Sequence, residues 1–142
     1  MIRALDTKDI PFIVSARNID FCDGWNGAML ESAFAGGRFF GFVAEDSGKA
    51  VAFAAADMAA DTADLEFIYT FPEYRKKGLG TSLVRAVCDA ARGRGAVKLF
   101  LEVRKSNLPA LALYEKAGFV KAGERAAYYG DGETATVMVK EL

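Results

Sequence analysis

Apolar residues recur along the chain at two spacings, and each spacing predicts a different element. Over residues 97–104 they occupy every second position, which is typical of a β-strand with one buried face. Over residues 79–91 they recur every three or four positions, as on one face of an α-helix. An aromatic and β-branched run over residues 65–71, which ends at Pro72, predicts a strand before that helix. The helix is expected to end at Gly93 or Gly95.

The same spacings predict the remaining elements. In chain order they are a strand over 2–5, a helix capped by Asp6 or Thr7, a glycine-bearing turn over 21–27, a short helix over 28–34, a hairpin of strands 39–45 and 50–58, a connecting loop over 57–63, a helix from the Asn107 cap to Gly118, and a closing hairpin of strands 119–129 and 134–140. Because strand 97–104 follows a helix that follows strand 65–71, the two are expected to pair in parallel. The pattern predicts one α/β domain, residues 1–142, with a mixed sheet.

The strand, loop and helix over residues 65–92 predict an anion site. A glycine-bearing loop before a helix presents unpaired backbone N–H groups at the positive end of the helix dipole, where phosphates bind. Two phosphate-binding loops fail on spacing. A P-loop needs Lys after its second glycine, where this chain has Thr81, and a dinucleotide fingerprint needs a third glycine, where it has Leu83. The remaining pattern is Arg75-x-x-Gly78-x-Gly80.

This pattern resembles the R/Q-x-x-G-x-G/A signature of the GNAT family of acetyl-CoA-dependent N-acetyltransferases. A second stretch, Lys98 to Phe119, is similar to the strand, asparagine turn and helix that close the site in that family. L-E-V-R-x-S-N followed by A-L-Y-E-x-x-G-F most resembles the RimI-like branch, which acetylates the N-terminal alanine of a small-subunit ribosomal protein. The resemblance implies a GNAT fold: a mixed central sheet of about seven strands, flanked by about four helices, with splayed parallel central strands.

The resemblance implies a binding site for acetyl-CoA as cosubstrate. Backbone N–H groups of the loop would hold its pyrophosphate, and the main chain at the end of the central strand would hold its pantetheine arm and thioester oxygen. Three cations before a helix are unfavourable unless an anion binds there, which supports the phosphate site. The residues assigned to the cosubstrate are Ile68, Tyr69, Thr70, Arg75, Lys76, Lys77, Gly78, Leu79, Gly80, Thr81 and Asn107. For Asn107, capping the next helix is the alternative role.

The resemblance also implies two catalytic residues and an acceptor groove. Glu102 would be the general base and Tyr114 the acid that protonates the departing thiolate. The alternatives are that Glu102 faces solvent and pairs with Lys98 or Arg104, and that Tyr114 only packs. Four residues are expected to line the groove, namely Trp25, Glu66, Tyr128 and Tyr129. For Trp25 the alternative is packing against the sheet. Where the branch tends to have N-Y-Y-P and a proline before the tryptophan, this chain has Ala127-Tyr128-Tyr129-Gly130 and Gly24.

The amino-acid composition limits which groups can transfer protons and which partners are expected. The chain has no histidine, so proton transfer must use carboxylates, Tyr, Lys, Cys or water, and no metal is expected. A net charge of −1 argues against nucleic-acid binding, and no apolar run approaches the roughly 20 residues that span a membrane. Two distant cysteines, Cys22 and Cys88, fit a cytoplasmic protein. We expect a monomer or weak homodimer.

The sequence leaves the acceptor open. A protein N-terminal α-amine is favoured, since one modest carboxylate suits an amine of pKa ~8 better than a lysine of ~10.4. A small-molecule amine, an antibiotic or a lysine side chain are alternatives within the same fold. A non-catalytic module that binds acyl-CoA and reports it to a partner is the alternative from a different class.

Overall fold

The computed structural model describes residues 1–17 and 25–142. Within them the chain forms β1 (Ile2–Ala4), α1 (Ile10–Arg17), α2 (Gly27–Ala35), β2 (Phe39–Asp46), β3 (Lys49–Ala59), β4 (Thr62–Thr70), α3 (Leu79–Gly93), β5 (Lys98–Arg104), α4 (Leu108–Lys116), β6 (Val120–Arg125) and β7 (Ala135–Glu141). Single 3₁₀ turns, Thr7–Asp9 and Pro72–Tyr74, precede α1 and follow β4. Most of the turn predicted over residues 21–27, including Cys22 and Gly24, lies outside the described residues.

The seven strands form one mixed sheet in the order β1-β2-β3-β4-β5-β7-β6. Only β4 and β5 pair in parallel, as expected for two strands joined by a helix, and every other pair is antiparallel. Together with the four described helices, this confirms the predicted fold class.

The two central strands separate after a short stretch of pairing. Thr62, Ala63 and Asp64 of β4 face residues 98–100 of β5, and the pairing ends there although both strands continue. On its other edge β4 stays paired with β3, but the register shifts at Glu66, which is the extra residue of a β-bulge. A bulge bends its strand and increases the local twist, so β4 turns away from β5 beyond this residue. The predicted splay of the parallel strands is therefore present.

The bulge also changes which face of the sheet each β4 side chain joins. Before it, Ala63 and Leu65 belong to the core beneath α3 and α4. After it, Phe67 and Tyr69 belong to a second core beneath α1 and α2, which is rich in stacked aromatic rings. Without the extra residue, Leu65 and Phe67 would point to the same face. Glu66 thus lies at the point where the inward-facing side chains of β4 change from one face of the sheet to the other.

The predicted connecting loop over residues 57–63 is wrong. Asp57 pairs with Asp64, and the two strands continue to Ala59 and Thr62 across a turn formed by Ala60 and Asp61. Ala60 adopts a left-handed conformation (φ 57°), which is uncommon for a residue with a Cβ. The turn therefore lacks the glycine or asparagine that normally marks a tight hairpin in a sequence.

The closing hairpin is shorter than predicted. Strand β6 ends at Arg125 rather than at Tyr129, and residues 126–134 connect it to β7. Strand β7 inserts between β5 and β6, so this connection emerges beside the end of β5. Tyr128 and Tyr129 consequently lie in a loop next to Glu102 and not in a strand.

Within the described residues, none of the helices has the length and apolar content that would let it cross a membrane.

Replacing Gly41 with alanine should destabilise the fold by about 2–3 kcal/mol, because a Cβ at Gly41 would collide with the Ala54 carbonyl oxygen and come within 2.9 Å of the Ala55 Cα. Both obstacles are backbone atoms of β3 and cannot rotate away. Urea unfolding measures the change. Gly93→Ala is the matched control, since its Cβ meets nothing within 4 Å and α3 should gain up to about 1 kcal/mol. Equal stability of the two variants would contradict this packing.

Candidate active site

The loop before α3 has the geometry of an anion site. Lys76 (φ 61°) and Gly78 (φ 82°) adopt left-handed conformations, which are typical of the backbone turns that form anion-binding nests. Gly78 is the N-cap of α3, and no side chain of the described residues hydrogen-bonds to the first turn. The first turn also has no acidic residue. The N–H groups of Leu79, Gly80 and Thr81 are thus available at the positive end of the dipole.

Gly80 allows α4 to approach the start of α3. A Cβ at this position would stand 3.3 Å from Cδ2 of Leu113, which is closer than most packed side chains allow. Helix α4 begins at the predicted Asn107 cap, whose Oδ1 accepts a hydrogen bond from the Ala110 N–H at 3.2 Å. The cap alone accounts for Asn107 in this structure, and its contact with the cosubstrate stays a prediction.

The basic side chains of the loop lie partly against the end of β4. Nε of Arg75 donates to the Thr70 carbonyl oxygen at 2.8 Å, and its guanidinium lies 5.4 Å from the centre of the Tyr69 ring. Nζ of Lys77 lies 5.4 Å from the Tyr74 ring. Arg75 therefore fastens the loop to the strand, a role that the motif did not indicate.

The main chain of β4 beyond Asp64 faces the gap between the central strands. Ile68, Tyr69 and Thr70 pair with β3 on one edge, and no β5 residue pairs with them on the other. The side chain of Tyr69 packs against Phe53 and Phe71. The main-chain groups of β4 that face the gap could thus bind an extended ligand, as the resemblance implies for the pantetheine arm.

Glu102 and Tyr114 lie on opposite faces of the sheet. Leu99, Leu101 and Val103 enter the core beneath α3 and α4, so the alternation of β5 directs Glu102 to the face that carries α1 and α2. Tyr114 is buried on the α3 and α4 side, where its ring meets Phe119 edge to face. The gap between β4 and β5 opens between these two faces of the sheet.

Glu102 has partners other than those considered from the sequence. Lys98 pairs with Glu141, and Arg104 pairs with Asp131 and Glu133. Glu102 instead has Nε of Arg125 at 3.8 Å and the hydroxyl of Tyr128 as hydrogen-bond donor. That hydrogen bond, with partial burial and the nearby carboxylates, raises the pKa of Tyr128.

Arg104 fixes the loop that carries the two tyrosines. Its NH1 group bonds Asp131 at 2.8 Å and Glu133 at 3.0 Å, and its guanidinium stacks 4.1 Å from the Tyr129 ring. Glu133 also accepts a hydrogen bond from the Ser106 N–H at 2.9 Å. The loop after β6 is therefore tied to the end of β5, which holds Tyr128 beside Glu102. Arg104 was a candidate only as a partner of Glu102, and this role was not predicted.

A cavity of about 560 Å³ lies on the Glu102 face between α2 and the sheet. One side is apolar, with Trp25, Met29 and Phe39, and the other carries Asp57 and Glu66. The Trp25 ring also packs on Phe39 and Phe67, with ring centres 5.7 and 5.5 Å away. Trp25 thus packs against the sheet, as the alternative expected, and it also lines the cavity, while its contact with the acceptor stays a prediction.

Four carboxylates share this face of the sheet. Partial burial first, and then the charges of Asp64, Asp57 and Glu102, raise the pKa of Glu66 to about 7. Glu66 remains exposed along the open side of the cavity, so the cavity walls remove only part of the water around its carboxylate. Burial and neighbouring carboxylates also raise the pKa of Asp64, against the opposing charge of Arg125.

Asp57 and Asp64 were not among the site residues predicted from the sequence. The alternating pattern around them could have placed both on the same face of the sheet, but their pairing depended on the unpredicted turn at Ala60. No cluster of three or more potential metal-binding side chains occurs in residues 1–17 and 25–142.

Comparisons with known proteins identify the family of the chain. Residues 10–119 match the family model described as "Acetyltransferase (GNAT) family". The chain is 37% identical to the [ribosomal protein bS18]-alanine N-acetyltransferase of Escherichia coli, over 96% of this chain and 94% of that protein.

Solved structures extend the likeness to the fold. The crystal structure of the Escherichia coli ribosomal-protein-S18-alanine N-acetyltransferase superposes with a TM-score of 0.89 and 35% identity, covering 99% of this chain and 92% of that one. Nourseothricin acetyltransferase is 32% identical with a TM-score of 0.69, covering 73% and 65% of the two chains. The predicted resemblance to the RimI-like branch is confirmed.

The crowding of Glu66 predicts a pH-dependent effect on stability. The folded pKa is raised above the ordinary value of 4.5, so the folded state binds more protons than the unfolded state between about pH 4.5 and 7. Stability associated with Glu66 is therefore lost as the pH rises through this window. Glu66→Gln should become progressively more stable relative to wild type from pH 4.5 to 8, as measured by urea unfolding. Glu115→Gln, at an exposed position on α4, is the control, and a constant difference for Glu66→Gln would contradict the crowding.

Proposed function

The chain belongs to the acetyltransferase (GNAT) family, and from this premise we propose that it transfers an acetyl group from acetyl-CoA to the α-amine of a protein N-terminus. The expected acceptor is the N-terminal alanine of a ribosomal protein, as named for the Escherichia coli relative. The observation that carries this proposal is the gap between β4 and β5, which has the uncapped start of α3 at one side and Glu102 at the other.

The proposed cosubstrate site uses the backbone of the loop and of β4. N–H groups of residues 76–81 bind the pyrophosphate, because they converge at the start of a helix and have no acidic neighbour in its first turn. The main chain of residues 68–70 binds the pantetheine arm along the edge that β5 leaves open. An N–H group at this edge stabilises the thioester oxygen as negative charge develops.

The proposed chemistry divides between the two faces of the sheet. On the cavity side, Glu102 accepts a proton from the attacking nitrogen, directly or through water. On the opposite side, Tyr114 donates a proton to the departing sulfur, since a phenol of pKa ~10 and a thiol of pKa ~8.5 are closely matched. The acceptor and the cosubstrate then approach the gap from different faces and do not compete for space.

The free energy of deprotonation favours an α-amine over a lysine as the acceptor. At pH 7.4 an α-amine of pKa ~8 costs less than about 1 kcal/mol to neutralise, whereas a lysine of pKa ~10.4 costs about 4. The likeness to nourseothricin acetyltransferase supports a small-molecule amine as the second candidate acceptor. A non-catalytic acyl-CoA sensor would need neither Glu102 nor Tyr114.

Incubation with acetyl-CoA should modify peptides at their free N-terminus, read out by mass spectrometry together with thiol release. The paired substrate is the same peptide with a blocked N-terminus and an internal lysine, which should remain unmodified because its amine is harder to neutralise. A panel of aminoglycosides and polyamines tests the small-molecule alternative. Modification of that panel alone would overturn the N-terminal assignment, and cosubstrate binding without thiol release would support the sensor.

Glu102→Gln and Tyr114→Phe should each lower kcat at least ten-fold, because each removes one proton-transfer group. The affinity for acetyl-CoA should remain near that of wild type, since the proposed phosphate contacts involve the loop. Steady-state kinetics and calorimetric titration measure the two quantities, and Glu115→Gln serves as the surface control. Full activity in both variants would remove Glu102 and Tyr114 from the mechanism.

A further inference from the structure

Helix α4, which carries Tyr114, ends in a Schellman cap. The N–H group of Phe119 donates to the carbonyl oxygen of Tyr114 at 2.9 Å. The N–H group of Gly118, which is left-handed (φ 97°), donates to the carbonyl oxygen of Glu115 at 3.0 Å. The rings of Tyr114 and Phe119 also meet edge to face, with their centres 5.8 Å apart. The cap therefore holds both the backbone and the ring of Tyr114.

Lys140 of β7 completes this cap. The two backbone hydrogen bonds satisfy the carbonyl groups of Tyr114 and Glu115, but not that of Ala117, the last residue before Gly118. The ammonium group of Lys140 donates to the Ala117 carbonyl oxygen at 2.5 Å. A cation at this end of a helix also interacts favourably with the helix dipole. Lys140 thus ties the end of α4 to the sheet.

Lys140 reaches α4 along the core face of the sheet. Alternation along β7 puts its side chain on the same face as Met138, which is buried beneath α3 and α4. Gly118 allows the approach, because a Cβ there would lie 3.4 Å from Cε and 3.5 Å from Nζ of Lys140. Burial raises the pKa of the Cys88 thiol on α3, and the charge of Lys140 opposes this effect. A half-buried ammonium group so close to the core needs a hydrogen-bond acceptor, which Ala117 provides.

The last turn of α4 fixes where the hydroxyl of Tyr114 lies. The helix has only nine residues, and Tyr114 is in its final turn. The proposed cosubstrate site is built from other elements, the loop before α3 and the edge of β4, so the sulfur would not move with α4. A proton donor that shifts by about 1 Å relative to the atom it protonates loses much of its effect. A contact that holds this end of α4 therefore affects protonation of the sulfur.

We propose that Lys140 is a positioning residue for acetyl transfer, which holds the hydroxyl of Tyr114 at the sulfur of the cosubstrate by completing the cap of α4. This role rests on the proposed function. Lys140 exchanges no proton and touches neither reactant. Strand β7 is a suitable support, because it pairs with residues 98–104 of β5, the strand that carries Glu102. Lys140 thus links the helix of the proposed acid to the strand pair of the proposed base.

Lys140→Met tests the role, because it removes the ammonium group and keeps a flexible apolar chain. It should lower kcat about three- to ten-fold, while the peptide KM and the Kd for acetyl-CoA change less than about two-fold. Lys140→Arg retains a cationic donor and should recover most of the lost kcat. Lys49→Met, at an exposed position at the start of β3, is the matched control and should keep the wild-type kcat.

A Tyr114→Phe background separates positioning from a general loss of structure. This background has no phenol proton to misplace, so adding Lys140→Met should cause no further loss of kcat. The same fold loss in both backgrounds would overturn the proposal, as would an unchanged kcat in Lys140→Met alone. If Lys140→Met does not fold, Lys140→Gln replaces it in every measurement.

Carbon-13 NMR of tyrosine-labelled protein supplies a readout independent of activity. The ring resonance that is missing from Tyr114→Phe should shift in Lys140→Met, and the other tyrosine rings should keep their positions. An unshifted Tyr114 ring would overturn the role of Lys140 and leave the proposed function standing. A wild-type enzyme that modifies no N-terminal peptide would instead overturn the proposed function, even if the Tyr114 ring responds to Lys140→Met.

Discussion

The separation of β4 from β5 is the constraint on which the rest of the structure depends. Three residue pairs hold the two strands together, and the bulge at Glu66 then turns β4 aside while β3 keeps its other edge paired. An interior strand normally satisfies its backbone groups on both edges. Here one edge is left open in the middle of a sheet, where a ligand with an extended, hydrogen-bonding chain can complete it. The proposed cosubstrate site therefore uses an edge of β4 that the fold leaves without a neighbouring strand.

The two faces of the sheet on either side of the gap differ in their chemical character. The α3 and α4 face is apolar and tightly packed around Tyr114, and it begins with the exposed N–H groups of the loop before α3. The opposite face carries the carboxylates and an aromatic cavity. An anionic cosubstrate suits the first face and a cationic acceptor suits the second. In the proposed reaction, each reactant therefore meets the face of the sheet that suits its charge.

Local patterns predicted the fold well because its elements follow simple rules. The alternation over β5, the helical spacing over α3 and the Asn107 cap are all encoded by neighbouring residues. The turn at Ala60 escaped prediction, since its left-handed alanine provides no sequence signal.

The motif resemblance identified the residues proposed for catalysis, but it could not show that Glu66 faces Glu102. That relation depends on the sheet register and on one extra residue in β4, and neither is visible in a linear pattern. The links from Arg75 to Thr70 and from Arg104 to the loop after β6 likewise join residues that only the fold brings together.

The most direct test of the proposed cosubstrate site is an amide NMR titration with coenzyme A, which carries no acetyl group to transfer. The largest chemical-shift changes should fall on backbone amides of two segments, residues 65–70 at the open edge of β4 and residues 76–82 at the start of α3. Amides of β1 and β2, which lie beyond β3 towards one edge of the sheet, should change little. Saturable binding whose shift changes spare both segments would contradict the claim that the gap between β4 and β5 holds the cosubstrate.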